Sequence, residues 1–121
     1  IRAHRHVAVH RRSVGELARL LLDVVPGQRI GYVTDLRFTP ANRQVLAGLL
    51  AGVDQLYIES VFLSAEAEHA QRKNHLTARQ AGLIARELGA RYVLPFHFSP
   101  RYAGREAEIE TELRAAWSGA A

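Results

Sequence analysis

From Arg29 onward, short apolar runs alternate with longer stretches whose apolar residues recur every three or four positions, the periods of strands and helices. Three runs read as strands: "RIGYVTD", ending on Asp35; "VDQLYIE", ending on Glu59; and "RYVLPF", which leads directly into His97. Between the first two, Thr39 and Pro40 open a helix that carries Val45, Leu46, Leu49 and Leu50 and is closed by Gly52. Thr77 and Gln80 form a capping box at the head of the next helix, which runs to Leu88 with Gly89 behind it. A last amphipathic helix is expected over Arg105 to Trp117. Upstream, Ser13 and Glu16 cap a further helix through Val14, Leu17, Ala18, Leu21, Leu22 and Val25, ended by "PGQ". The basic stretch "IRAHRHVAVHRR" before it reads as an edge strand.

Strands separated by helices of this length need crossover connections, so the pattern predicts an α/β fold with a largely parallel sheet. Ligands in such sheets collect outside the carboxyl ends of the strands. Each of the three strands delivers a titratable residue there: Asp35, Glu59 and His97. One would be ordinary; three together suggest a site.

Composition narrows the chemistry. The chain has 121 residues, 48% of them hydrophobic, enough for one compact domain with a real core. With no cysteine, disulfide scaffolds and thiolate metal sites are excluded, so any metal must be held by histidine and carboxylate. No apolar run is long enough to span a membrane, and a soluble, cytoplasmic protein is expected. A start at Ile1 with no methionine anywhere suggests a piece of something longer. The net charge of +4 favours a polyanionic partner only weakly, since an arginine-rich composition produces the same value. No glycine-rich phosphate loop of either common form is present.

Each candidate also has an ordinary reading. His97 alone is a partly buried histidine satisfied by a carbonyl; at a strand terminus before Ser99 and Pro100, it is also well placed to bind a divalent ion. Asp35 alone is a capping carboxylate, although Thr39 is the better cap. Glu59 alone is a strand-end carboxylate. His75 reads locally as an exposed residue ahead of a helix, and His69 as surface. Arg72 and Lys73 form a solvated basic turn, with phosphate contact as the sharper alternative. His4, His6 and His10 could share a metal on one strand face, but a solvated edge is the commoner outcome for such a segment.

"GYVTD", "LYIESVF", "NHLTARQAGLIARELGA" and "LPFHFSPRY" occur in the order, and at about the spacing, of the C-terminal half of ribonuclease Z. The chain thus resembles that tRNA 3′-processing endonuclease family of the metallo-β-lactamase fold over Gln28 to Glu112. The resemblance implies that residues 1–121 form one C-terminal half-domain of an αββα sandwich, packed on an N-terminal half of the same protein or on a second copy as a homodimer. It implies two zinc ions, with Asp35 as the bridging carboxylate and His97 as the last histidine ligand. It casts Glu59 and His75 as a catalytic pair in which the carboxylate orients an imidazole that protonates the leaving oxygen. Arg101 would approach the substrate phosphate or support the turn carrying His97. Two metal ions about 4 Å apart suit this chemistry, because they clamp attacking and leaving oxygens together. The implied partner is RNA, a tRNA precursor.

The chain departs from the family pattern at four positions. Ile58, Ser60 and Val61 replace the His, Ala and Thr of His-Glu-Ala-Thr, and Leu76 replaces the Ser of His-Ser-Thr. These changes leave Asp35 and His97 in place and open the substrate to another phosphodiester or ester. The family's His-x-His-x-Asp-His motif is not found in the chain, nor is its tRNA-gripping arm. A non-catalytic nucleic-acid-binding or assembly module is the third reading.

Overall fold

In the computed structural model, residues 27–120 are described. Three strands form a parallel sheet in the order β1 (Ile30–Val33), β2 (Gln55–Glu59), β3 (Tyr92–Phe96). Helix α1 (Pro40–Leu50) connects β1 to β2. A 3-10 turn (Ser64–Glu66), a short helix α2 (Ala67–Arg72) and α3 (Ala78–Leu88) connect β2 to β3. After β3 come a second 3-10 turn (Pro100–Tyr102) and helix α4 (Glu106–Ser118). The expected α/β alternation is present. The expected helix from Ser13 and the histidine-rich strand at His4, His6 and His10 lie outside the described residues.

Local chemistry accounts for the element boundaries. The Thr39 hydroxyl accepts from the Asn42 amide, and Pro40 occupies the first turn, where its missing N–H is harmless. Thr77 and Gln80 make the full reciprocal capping box, and Gly89 ends α3 at φ 67°, the left-handed region open to glycine. At the other end of α1, the Arg29 guanidinium donates to the carbonyls of Leu49 and Ala51.

The core lies on one face of the sheet. Gly31 and Val33 of β1, Leu56 and Ile58 of β2 and Val93 of β3 point to it, as the two-residue strand period requires. Ile84, Ala85 and Leu88 of α3 join the same cluster, together with Ile109 and Leu113 of α4. Helices α3 and α4 pack closely because Gly82 sits between them: a methyl group there would lie 2.3 Å from the Leu113 carbonyl oxygen.

The helix expected after Thr39 and Pro40 is present, and of its apolar residues Leu46 is buried while Val45 and Leu49 are exposed among the described residues. Among the described residues β1 is an edge strand, and the end of α1 packs beside it, with Leu50 against Gly31. The sheet face opposite the core is also open among the described residues, with Ile30, Tyr32 and Tyr92 each about three-fifths exposed or more. Parallel sheets are normally covered on both faces, so this architecture is one layered half of a sandwich.

Candidate metal centre

The strand ends converge. Glu59 closes β2, His97 follows β3 by one residue and Asp35 follows β1 by two, while His75 stands just before α3. One ligating atom from each of the four lies within 4.8 Å of all the others. The parallel register produces this meeting: Val33 and Pro95 both flank Ile58, so the three chains leave the sheet side by side.

The backbone turns sharply at these points. Asp35 has φ 54°, His97 φ 62°, and Asn74, which precedes His75, φ 60°; these are the non-glycine residues with positive φ among those described. Left-handed backbone costs an L-residue about 1–2 kcal/mol, and strain of this kind concentrates at functional sites. All three positions adjoin the cluster.

Glu59 organises the group. Its side chain is completely buried. One oxygen accepts from the Asp35 amide at 2.6 Å and the Thr34 hydroxyl at 3.2 Å. The other accepts from the Leu76 amide at 2.8 Å and lies 3.1 Å from His75 Nδ1. A carboxylate surrounded by donors can only accept, so His75 carries its hydrogen on Nδ1 toward Glu59, and Nε2 is the ring's other nitrogen. His97 Nδ1 stands 3.5 Å from Glu59, and Asp35 Oδ1 stands 3.7 Å from His75 Nδ1. Exposure rises outward, from buried Glu59 through His75 at 21% and His97 at 44% to Asp35 at 71%.

This donor set fits a divalent metal. Every buried polar side-chain atom among the described residues has a partner, and the oxygens of Glu59 are already engaged. Asp35 and His97 are the exposed donors, one carboxylate and one imidazole, which suit first-row divalent ions such as zinc. A carboxylate behind a ligating histidine is the usual outer support for such a site. Two ligands are too few to close a tetrahedral shell.

Arg101 lies at the rim. Its guanidinium pairs with Glu66, sits 5.3 Å above the Phe62 ring centroid and approaches His69 Nε2 at 3.4 Å. Tyr102 donates its hydroxyl to the same Glu66 and accepts from the Leu63 amide. Hydrogen bonding from Tyr102, reinforced by Arg101, holds the Glu66 carboxyl below the usual carboxylate range. Burial and the Glu66 carboxylate push the Tyr102 phenol up.

Sequence reading nominated Asp35, Glu59, His75, His97 and Arg101, and all five fall in one neighbourhood. It passed over two others. His69, taken as surface, packs edge-on against Phe62 with ring centroids 4.9 Å apart and lines a cleft beside the cluster. Glu66 pins Arg101 across 35 residues of chain. Neither has a local signal; both depend on the fold bringing α2 against the turn after β3.

This arrangement of a parallel half-sandwich with carboxylates and imidazoles at the strand ends defines a metallo-β-lactamase-type protein. Residues 2–98 match the beta-lactamase superfamily domain, and the chain belongs to that superfamily. Among curated proteins it is similar to the ribonuclease Z of Deinococcus radiodurans, 38% identical over 110 residues that span 91% of this chain and 33% of that protein. The ribonuclease Z of Thermobifida fusca is 44% identical over 98 residues, covering 79% of this chain and 29% of its own length. The chain therefore spans about a third of the length of the curated relatives it matches. The metallo-beta-lactamase fold protein YhfI from Bacillus subtilis superimposes with a TM-score of 0.61 at 21% identity, over 74% of this chain and 34% of that one. That likeness is one of fold.

Proposed function

We propose that this chain carries part of the active site of a metal-dependent phosphodiester hydrolase of the ribonuclease Z type, acting on RNA. The observation that carries the reading is the convergence of Asp35, Glu59, His75 and His97 within 4.8 Å. The similarity to two ribonuclease Z proteins supports it. Asp35 and His97 would hold the metal, a nitrogen and oxygen pair suited to zinc among other first-row divalent ions. When bound, such an ion polarises phosphoryl oxygens and activates water.

The protein's own groups do the rest. Glu59 fixes the His75 ring through Nδ1, so Nε2 is the nitrogen that passes a proton to the leaving oxygen. Glu59 also holds the Asp35 backbone through its amide, which keeps both functions in one geometry. Arg101, fastened by Glu66, offers its remaining in-plane N–H donors to substrate phosphate at the rim.

Of the four departures from the ribonuclease Z pattern, Ile58, Ser60 and Leu76 are fully buried and fill core, while Val61 reaches the wall of the cleft beside the cluster. An RNA substrate therefore rests on the similarity to the ribonuclease Z proteins and not on these replacements. The remaining ligands come from an N-terminal half of the same protein laid on the open sheet face, or from a second copy in a homodimer. Residues 1–121 are then a single C-terminal half-domain. A cytoplasmic location is part of this proposal, and among the described residues no helix is long and apolar enough to cross a membrane.

The test is metal content and precursor tRNA cleavage by the whole protein. Asp35→Ala and His97→Ala each lower bound zinc and abolish cleavage. Full activity in both variants overturns the reading.

A further inference from the structure

Beyond His75 and His97 a cleft of about 280 Å³ opens between α2 and the turn that follows β3. Val61, Phe62 and Phe98 contribute its apolar surface. The polar character is one-sided: His69, Lys73, His75, His97 and Arg101 line it, and no carboxylate does among the described residues. Asp35 and Glu59 stand behind His75 and His97 at the inner end, in the metal cluster, and Glu66 pairs with Arg101 at the rim. Among the described residues the strong cation left without an ion pair in the lining is Lys73, which favours an anion at the outer part of the cleft.

Lys73 is the lone lysine of a chain whose other strong cations are all arginine. It caps α2, where its backbone N–H donates to the carbonyls of His69 and Ala70. Among the described residues it makes no ion pair, whereas Arg101 is already bound to Glu66. An ammonium is a compact point charge with rotatable donors, suited to the non-bridging oxygens of a phosphate. The guanidinium of Arg101 is planar and stands fixed between Glu66, His69 and the Phe62 face.

We propose that Lys73 and Arg101 form a subsite for the phosphate adjoining the scissile one, so that the cleft receives the backbone of single-stranded RNA. His69 is a positioning residue here, holding Arg101 over Phe62. This rests on the hydrolase reading for the direction of the strand, but the anion site itself follows from the lining.

The test reads binding without cleavage. The full chain is titrated with a fluorescein-labelled single-stranded RNA oligonucleotide in EDTA, and anisotropy is followed across a salt series. Lys73→Gln weakens binding several-fold at low salt and flattens the plot of log K against log salt by about 0.7, the value for one single-strand phosphate contact. Lys73→Arg, which keeps the charge, restores the slope. An unchanged slope in Lys73→Gln, or a Lys73→Arg protein that behaves like it, overturns the subsite. In the whole protein, Lys73→Gln lowers kcat/KM on RNA several-fold more than on bis(p-nitrophenyl) phosphate, which has no second phosphate. Equal losses on the two substrates also overturn it. A changed salt slope beside full activity in Asp35→Ala and His97→Ala would remove the hydrolase reading and keep the subsite; the reverse pattern would remove the subsite alone.

Discussion

Glu59 is the residue on which the site's geometry converges. It is a buried charge whose cost is offset by backbone donors from two distant segments, Asp35 and Leu76, and by the His75 ring. Glu59→Gln would turn an NH2 group toward one of these donors and leave the pairing broken. A loss of about 1–3 kcal/mol in stability is expected, read from urea denaturation at neutral pH. A variant as stable as the parent would show that Glu59 is not the hub described. His75 has a separable role, since it is partly exposed and makes its side-chain contacts at the cluster. His75→Ala should cost about 1 kcal/mol in stability, since buried Glu59 loses one of its donors and keeps the others. The kcat of the whole protein should fall about a hundred- to ten-thousand-fold, the range for a positioned acid. A rise in KM with kcat unchanged would assign the ring to binding.

Among the elements, the α3–α4 pair determines how the segment before α3 is held. Helix α3 carries Ala78, Ala81, Gly82 and Ala85 along its buried side, and Gly82 meets the α4 backbone directly. In an isolated helix, Gly→Ala would gain about 1 kcal/mol. Here the added methyl would strike the Leu113 carbonyl at 2.3 Å and the Ala116 Cβ at 2.7 Å, contacts that no flexible side chain can relieve. Overpacking should win, and Gly82→Ala is expected to destabilise by about 1–3 kcal/mol, measured by thermal unfolding. Glu112 of α4 ties the same region together, accepting from the Ser64 and Arg79 amides at the starts of two elements. The helix expected over Val45, Leu46, Leu49 and Leu50 formed as α1, and its exposed Val45 and Leu49 show that a period marks which residues share a face, not how much of that face finds a neighbour.

For the whole molecule, the contact of Glu66 with Arg101 and Tyr102 locks the turn after β2 to the turn after β3. Because the folded Glu66 carboxyl sits below its ordinary value, the unfolded chain binds more protons through the interval between the two. The stabilisation is complete above the ordinary carboxylate value and disappears as pH falls through the depressed one. Glu66→Gln should therefore be less stable than the parent near neutrality, and the difference should shrink on acidification. Denaturant melts across the acid range check this; a difference that holds constant with pH would refute the coupling.

Short-range chemistry determined much of what the sequence made legible. Thr39 with Pro40, and Thr77 with Gln80 and Gly89, act within one turn of chain, so their caps could be read directly. The two-residue and 3.6-residue periods likewise marked the three strands and the helices between them. Parallel pairing then placed Asp35, Glu59 and His97 at one edge by connectivity alone. The resemblance to ribonuclease Z added His75 and Arg101, whose local surroundings read as plain surface. Tertiary structure alone decided that Glu59 is buried among four donors, that Glu66 pins Arg101 and that His69 and Lys73 share a cleft. Those relations join residues 16 to 36 positions apart, or depend on how a short helix lies against a turn, and no local period encodes a distance of that kind.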